Sequence, residues 1–134
     1  MAIREKIVGP DHPDPAESLN SRGVLYVSQG QYAQAAPLYR RALAILEKGF
    51  GPDHPEVAKT LSLQGSLYIS QGQYARAEPL LKHALAIRER ALGPDHPDVA
   101  TSLEKIAVLY RKTGRDREAE VFKNRAATIR AMKR

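Results

Sequence analysis

The sequence predicts an all-α, right-handed solenoid of three stacked antiparallel helix pairs. The first observation is the stretch Gly-Pro-Asp-His-Pro, which occurs three times with starts 42 residues apart, at Gly9, Gly51 and Gly93. A fixed period of this size is typical of repeat arrays, in which each unit buries its apolar face against its neighbours. The second is that apolar residues recur every three or four positions, whereas no segment alternates with period two.

The ungapped alignment divides the chain into repeats at 9–50, 51–92 and 93–134, which we expect to form one continuous domain with the last repeat as a cap. Repeats 1 and 2 agree at 24 of 42 positions, and repeats 2 and 3 at 16 of 42, so the same unit is stacked each time. AIREK, at residues 2–6, aligns with AIRER late in repeat 2. We therefore expect residues 1–8 to be the tail of a preceding repeat's second helix, and the chain to be a fragment of a longer array.

Each unit is expected to contain a helix, a short turn and a longer helix. In repeat 2, Val57 and Leu61 lie on one helical stripe after Pro55, and a proline suits the first helical turn. Gly72 then ends this helix, and the second helix is expected from about residue 74 to residue 92, before the next Gly-Pro.

Two glycines fall inside predicted first helices. Glycine there costs about 0.5–1 kcal/mol relative to alanine, so Gly23 and Gly65 need a structural reason. We expect these small residues to let the paired helix approach closely, as Ala107 does in repeat 3. The small residues expected opposite them are Ala35, Ala77 and Ala119.

Composition excludes several classes of function. The absence of cysteine rules out disulfides, thiolate nucleophiles and cysteine-ligated metals, and it fits a reducing compartment, so a cytoplasmic location is expected. No apolar run approaches the roughly 20 residues of a membrane helix. The chain has no HExxH sequence, nucleophile elbow or phosphate-binding glycine loop, so no enzymatic activity, cofactor or metal is predicted.

The recurrent loop histidines, His12, His54 and His96, raise the question of a metal site. Stacked repeats place equivalent loops on the order of 10 Å apart or more, whereas metal ligands must converge on one ion. We therefore predict that these histidines act at helix starts, and that His83, alone on a second helix, is exposed.

The pattern of glycine, alanine and apolar residues resembles the tetratricopeptide repeat signature in all three units. In repeat 1 the matching residues are Leu19, Gly23, Tyr26, Gly30, Tyr32, Ala35, Tyr39 and Ala42, and repeat 2 matches at the aligned positions. In repeat 3, Asp116 and Lys123 replace two customary aromatic or apolar residues, which supports a capping role. The ordinary period of this family is 34 residues. The 42-residue period with its GPDHP loops resembles the kinesin light chain-like subclass, which implies a second helix about two turns longer.

The resemblance implies a non-enzymatic scaffold whose first helices line a concave groove for an extended peptide. Carried over residue by residue, the groove comprises Asn20, Val24, Val27, Lys59, Ser62, Leu63, Ser66, Ile69, Thr101, Lys105, Val108, Arg111 and Lys112. This surface is small and apolar in its middle and basic at its C-terminal end, so a peptide with an apolar anchor and flanking acidic residues would complement it.

Two specific functions within this family are not predicted. At the positions where chaperone-binding members clamp a terminal carboxylate, only Lys105 suits that task. Kinesin light chains tend to carry an asparagine pair in the first helix, of which only Asn20 is present here, with Ser62 and Glu104 at its equivalents.

Two alternatives stay open. One is nucleic-acid binding, motivated by a net charge of +6 and ten basic against six acidic residues in 93–134, although acidic residues interrupt this cluster and no aromatic platform is visible. The other is a homo-oligomer that stacks end to end. A start in mid-repeat leaves the N-terminal edge, with Leu19, Val24 and Leu25, short of its upstream neighbour.

Overall fold

The structure is a computed structural model that describes residues 13–132, and these residues form six α-helices and no strand. The helices are α1 (Pro13–Ser28), α2 (Tyr32–Phe50), α3 (Pro55–Ser70), α4 (Tyr74–Leu92), α5 (Pro97–Lys112) and α6 (Asp116–Ala131). They pack as three consecutive pairs, and each second helix also packs on the first helix of the next pair. The predicted all-α repeat fold is confirmed. The predicted tail at 1–8, the first GPDHP loop up to His12 and residues 133–134 lie outside the described residues.

The helix lengths follow the predicted pattern in repeats 1 and 2. The second helices α2 and α4 have 19 residues each, against 16 for the first helices α1 and α3. In the last repeat, α6 has 16 residues and ends at Ala131, with Met132 as its C-cap, and the last two aligned positions fall at 133–134. A longer second helix is therefore present in the first two repeats.

The described GPDHP loops start the next helix through their histidines. Nδ1 of His54 accepts a hydrogen bond from the backbone N–H of Glu56 at 3.1 Å, and Nδ1 of His96 accepts one from that of Asp98 at 3.0 Å. Each bond satisfies one of the N–H groups that a helix leaves free at its start. The proline after each histidine is the first helical residue, where its missing N–H removes no helical bond. The predicted role at helix starts is confirmed for these two histidines.

The glycine of the same loop ends the preceding helix. Gly51 and Gly93 have φ angles of 92° and 94°, in the left-handed region where a Cβ atom would be strained. Their backbone N–H groups donate to the carbonyl oxygens of Glu47 and Glu89. One five-residue motif therefore closes one repeat and opens the next.

The core is a series of clusters that span neighbouring repeats. Leu67 of α3 packs with Tyr39 of the preceding repeat, and Leu109 of α5 packs with Leu81 of the preceding repeat, so both leucines are almost fully buried. Leu25 occupies the aligned position in α1 and is 61% exposed. The contrast shows how much of the burial at this position depends on an upstream helix pair.

The first-helix glycines have the predicted packing role, but the residues opposite them are different. A Cβ atom on Gly23 would lie 2.5 Å from Cε1 of the Tyr39 ring, and one on Gly65 would lie 2.6 Å from Cδ2 of Leu81. Ala77 contributes only its backbone oxygen, 3.6 Å away. The prediction of small residues opposite was wrong because the space that each glycine leaves is filled by a large side chain one turn further along the second helix.

Candidate peptide-binding groove

The first helices form a continuous surface along the stack. α1 contacts α3 and α3 contacts α5, whereas successive second helices approach one another less closely. In a stack of helix pairs, the elements that come closer together lie on the inner side of the curve. This packing is the one expected if the first helices line a groove.

Five of the predicted groove residues are apolar, and they divide into two groups. Val24 and Val108 are exposed to solvent by 45% and 47%. Val27, Leu63 and Ile69 are half-buried and pack on the clusters beneath the first helices. The exposed valines are therefore available to a ligand, and the half-buried residues support the floor.

Two predicted groove residues are buried between the repeats instead. Asn20 and Ser62, at aligned positions, are only 4% and 3% exposed. The side chain at this position points towards the first helix of the next repeat, and contact between the two helices covers it. These residues join the repeats and form the floor of the groove.

The junction of repeats 1 and 2 joins two polar residues directly. Nδ2 of Asn20 donates a hydrogen bond to Oγ1 of Thr60 at 2.9 Å, and both residues are buried. Leu46 of α2 is fully buried in the apolar cluster that repeats 1 and 2 share. Oδ1 of Asn20 is buried without a hydrogen-bond partner, a state that costs about 1–3 kcal/mol.

The junction of repeats 2 and 3 uses an arginine instead. Arg88 of α4 is 8% exposed, and its Nη1 donates to Oγ of Ser102 at 2.9 Å. The same nitrogen lies 3.4 Å from Oγ of Ser62 and 3.4 Å from the backbone oxygen of Asp98. The guanidinium thus bridges two serines that are too short to meet, at the positions aligned with Asn20 and Thr60.

Sequence reasoning missed Arg88 because only the first helices were assigned to the groove. The signal was present in the repeat alignment, where Arg88 stands at the position of Leu46. An arginine that replaces a core leucine of the aligned repeat must either leave the core or find polar partners there. Arg88 stays buried and finds polar partners there.

Lys105 lies next to this junction on the groove side. Its Nζ donates to Oγ of Ser66 at 2.8 Å, which brings together two residues of the predicted groove. Burial, and then repulsion from Arg88, lower the pKa of Lys105. Burial also lowers the pKa of Arg88, and attraction to Asp98 opposes that shift.

The remaining polar groove residues carry less free charge than the sequence predicted. Nη2 of Arg111 lies 3.4 Å from a carboxylate oxygen of Glu120 on α6, and Nζ of Lys59 lies 3.7 Å from one of Glu17. Thr101 is half-buried and accepts a hydrogen bond from Arg130 at 3.1 Å. Lys112 is exposed at the end of α5. The positive charge at the C-terminal end of the groove comes chiefly from Lys105 and Lys112.

Ion pairs also neutralise much of the basic cluster in repeat 3. Arg115 binds Glu78 and Glu118, with nitrogen–oxygen distances of 3.2 and 2.8 Å. Arg125 and Arg130 pair with Glu89 and Glu104 at 2.6 and 2.8 Å, respectively; Glu89 lies on α4 and Glu104 on α5. Because phosphate binding requires cations free to replace counterions, these pairs weigh against nucleic-acid binding. Within residues 13–132, no helix is both long enough and apolar enough to cross a membrane.

Comparison with known proteins places this architecture in a family. A tetratricopeptide repeat family profile matches residues 1–48, 28–90 and 56–131 in overlapping segments, and the chain belongs to that family. Members generally mediate protein–protein interactions and are generally non-enzymatic. A search of curated protein sequences found no significant match.

Solved structures narrow the class to kinesin light chain-like repeat proteins. The chain is similar to BtubC (BKLC) from P. vanneervenii, with a TM-score of 0.84 and 26% identity over 92% of this chain and 49% of that one. It is also similar to a kinesin light chain-type protein of Podosopora anserina with nearly identical TPR-like repeats, with a TM-score of 0.81 and 27% identity over 90% of this chain and 57% of that one. For a variant of the latter protein, the TM-score is 0.78 and the identity is 26%, over 98% of this chain and 62% of that one. The chain thus spans less than two thirds of each of these proteins.

Proposed function

We propose that this chain binds an extended segment of a partner protein along the surface of α1, α3 and α5. The observation that carries the proposal is the exposure of Val24 and Val108 on that surface, with the cation of Lys105 between them in the stack. Apolar side chains next to a cation offer a peptide both an apolar contact and an electrostatic one, and electrostatic complementarity provides specificity. The partner segment carries an apolar anchor and an acidic residue.

The aligned positions set the order of these two features along the groove. Val24 and Leu63 flank the junction of repeats 1 and 2, and their equivalents at the next junction are Ser66 and Lys105. Successive junctions are on the order of 10 Å apart, by the usual spacing of packed helices. An extended peptide advances about 3.3 Å per residue, so the anchor and the acidic residue are about three positions apart.

The proposal does not include catalysis, and it places the interaction inside the cell. Repeat scaffolds of this family are generally non-enzymatic, and the lack of cysteine is compatible with a reducing compartment such as the cytoplasm. Neither a cofactor nor a metal has a part in it.

The test is fluorescence anisotropy with a library of labelled extended peptides. Each peptide carries one bulky apolar residue and one glutamate three positions away in a glycine–serine background. We expect binding that weakens roughly tenfold, or about 1.4 kcal/mol, when either residue is replaced by serine. Val24→Asp should weaken binding by a similar factor, because it places a negative charge in the apolar subsite.

Leu25→Asp is the matched control, since this neighbouring residue faces the edge of the stack instead of the groove. It should leave peptide affinity unchanged. The proposal would be wrong if no library peptide bound with Kd below about 1 mM, or if the two aspartate variants had equal effects.

The exposure of Leu25 favours a second candidate function, self-association at the N-terminal edge. In the other repeats, the residues that cover the aligned leucine include Tyr39 and Leu81, but the C-terminal edge has Lys123 at this position. End-to-end stacking would bring Leu25 against that lysine, whereas a two-fold contact between two N-terminal edges brings leucine against leucine. We therefore propose a head-to-head dimer at high concentration.

Light scattering over a concentration series tests this dimer. The mass should approach twice the monomer value at millimolar concentration, and Leu25→Lys should return it to the monomer value. Lys123→Leu should leave the dimer closed if the contact is head to head. A strictly monomeric mass at every concentration refutes self-association, and growth into longer chains in the native protein refutes the two-fold geometry.

A further inference from the structure

The two most buried cations of the described helices have no hydrogen-bonded carboxylate. Seven more exposed cations have a carboxylate within 4 Å, namely Lys59, Lys82, Arg111, Arg115, Lys123, Arg125 and Arg130. Arg88 and Lys105 instead donate to serine hydroxyls and one backbone oxygen, all neutral acceptors. The strongest uncompensated charge in residues 13–132 therefore sits at the junction of repeats 2 and 3.

Such an arrangement is unfavourable for the protein alone. Removing a cation from water is unfavourable unless an opposite charge compensates it, and here the two cations also repel each other. Attraction from the carboxylate of Asp98 offsets part of the cost for Arg88, but the hydrogen bond comes from the backbone oxygen of that residue. An anion at the junction would remove the repulsion and stabilise both side chains.

The donors needed to bind such an anion remain available. All three hydrogen bonds of Arg88 use Nη1, so Nε and Nη2 have no partner within the described residues. Among the described residues, the only side-chain nitrogen or oxygen atom that is both fully buried and without a hydrogen bond is Oδ1 of Asn20. The unpaired Nε and Nη2 of Arg88 are therefore not fully buried. The ammonium of Lys105 uses one of its three N–H groups for Ser66.

We propose that Arg88 and Lys105, positioned by their hydrogen bonds to the hydroxyls of Ser62, Ser66 and Ser102, form a binding site for one compact oxyanion group of the bound partner. Nε and Nη2 of Arg88 present the parallel donor pair that binds a carboxylate or phosphate in two-pronged fashion, and Lys105 adds a point charge. The oxyanion is the carboxylate of an acidic side chain or the phosphate of a phosphorylated one. This site rests on the proposed function, because it names the subsite that holds the acidic residue.

The preceding junction provides an internal comparison without such a site. The positions of Arg88, Lys105 and Ser66 are occupied there by Leu46, Leu63 and Val24. These side chains offer no donor to an anion, and Asn20 is already bonded to Thr60. The two junctions have the same backbone arrangement and opposite ligand chemistry, so they fix the direction in which a partner segment lies.

The comparison supplies a variant that should still fold. Copying the first junction onto the second requires Ser62→Asn, Ser66→Val, Arg88→Leu, Ser102→Thr and Lys105→Leu. Each new residue is already native at the aligned position of the same protein. Lys105→Gln is a milder second variant, and Arg90→Gln is the matched control, since it removes an exposed cation from the helix of Arg88 at a position outside the groove.

Inorganic phosphate and sulfate are the first probes, titrated at constant ionic strength and followed by the NMR signals of the Arg88 Nε–H and Lys105 Nζ groups. We expect saturable shifts in the native chain and in the Arg90→Gln variant. Affinity should fall at least tenfold in Lys105→Gln and binding should be lost in the five-residue variant. No saturable shift, or equal shifts in the native chain and the five-residue variant, would overturn the site.

Peptides separate the site from the proposed function. A glutamate peptide and a phosphoserine peptide that both bind the native chain should each lose at least tenfold in affinity in Lys105→Gln, and the tighter of the two identifies the source of the oxyanion. Peptide binding that is unaffected by Lys105→Gln and by the five-residue variant refutes the site and leaves the proposed function standing. Inorganic anion binding that depends on Arg88 and Lys105, with no peptide bound, supports the site and refutes the proposed function.

Discussion

At the scale of single residues, a first-helix glycine and the large side chain across from it act as one packing unit. Gly65 lies against Leu81, which is fully buried, and Gly23 lies against Tyr39. In repeat 3 the glycine position has Ala107, and the opposite position has the largely exposed Lys123. The methyl group of Ala107 is tolerated because the opposite side chain, Lys123, is exposed and does not fill the space against the first helix.

This pairing predicts that two reciprocal substitutions both destabilise the protein. Gly65→Ala raises helix propensity by about 1 kcal/mol, but its Cβ would meet Cγ of Leu81 at 2.7 Å, and overpacking costs about 1–3 kcal/mol. Ala107→Gly relieves no clash and loses about 1 kcal/mol of helix propensity. Urea unfolding measures both free energies. Stabilisation by Gly65→Ala would show that Leu81 moves aside freely.

A second residue-scale feature is the carboxylate of Glu78, which three side chains share. Lys82 lies 3.0 Å away, Arg115 donates at 3.2 and 3.3 Å, and the Tyr110 hydroxyl donates at 3.1 Å. The hydrogen bond from Lys82, followed by those from Arg115 and Tyr110, lowers the pKa of Glu78 below its ordinary value of 4.5. The guanidinium of Arg115 also stacks on the Tyr110 ring, 3.8 Å from its centre. These contacts tie α4 to α5 and to the residue that precedes α6.

The lowered pKa of Glu78 predicts how stability changes in acid. A carboxyl whose folded pKa lies below its unfolded value stabilises the fold above about 4.5, and that contribution is lost as the pH falls through the folded value. Glu78→Gln should therefore lower the free energy of unfolding at neutral pH and reduce its decline below pH 4.5. Denaturant unfolding over a pH series measures both effects.

Glu47→Gln is the control, because this glutamate is exposed on α2 and has no ion pair with either neighbouring repeat among the described residues. In the Glu47→Gln variant, the free energy of unfolding should decline in acid as it does in the native protein. If Glu78→Gln and the native chain lose stability in parallel, the pH dependence comes from other groups, among them Glu104 and Glu118, whose pKa values are also lowered by arginine partners.

At the scale of helices, the same loop motif starts α3 and α5 with different support behind the histidine. The ring of His54 stacks on Phe50, with centroids 4.1 Å apart and planes 12° from parallel. The residue aligned with Phe50 is Leu92, which provides no ring. The two histidines therefore make the same cap but differ in what holds the imidazole in place.

Replacement of each histidine separates the cap from the stacking. His96→Ala should cost about 0.5–2 kcal/mol, and His96→Asn should restore most of that loss, because an asparagine side chain caps a helix well. His54→Asn restores the cap but loses the stacked pair, so a deficit of about 0.5–1.5 kcal/mol should remain. Thermal unfolding of these three variants measures the differences. Full recovery in His54→Asn would show that the ring contact contributes nothing.

At the scale of the whole molecule, the aligned leucines Leu25, Leu67 and Leu109 differ in burial, and we expect the cost of replacing each one to follow its burial. Leu67→Ala and Leu109→Ala should each cost about 2–5 kcal/mol, because both leucines are almost fully buried between repeats. Leu25→Ala should cost less than about 1 kcal/mol, as is usual for an exposed position. Amide hydrogen exchange should likewise show less protection in α1 than in α3, since among the described helices α3 packs on both neighbouring repeats and α1 on one. Equal losses for the three leucines would mean that Leu25 is covered in solution.

The helix boundaries could be predicted from the sequence because the loop motif recurs with a fixed period. Proline and glycine in the GPDHP loops act locally, through a missing N–H and a positive φ, so residues 55, 92 and 97 bound helices as expected. The burial of Asn20 and Ser62 was not predicted, because it depends on how closely α1, α3 and α5 approach one another. The bridging role of Arg88 was missed for a related reason: the reach of a long side chain between two repeats is a property of their packing, and the repeat alignment shows only that a leucine has been replaced.

The two junctions also limit how such repeats can be exchanged. Each junction draws residues from three helices, the first and second of one repeat and the first of the next, as Ser62, Arg88 and Ser102 show. The GPDHP loop is the obvious border between 42-residue units. A cut in this loop separates the second-helix residue of a junction, such as Arg88, from the residue on the next first helix, such as Ser102. Chimaeras joined there would set Leu46 beside Ser102, or Arg88 beside Thr60, and leave polar groups without partners. The unit that can be transferred intact is an overlapping block of three helices, so neighbouring blocks share a helix and the order of the repeats is itself specified.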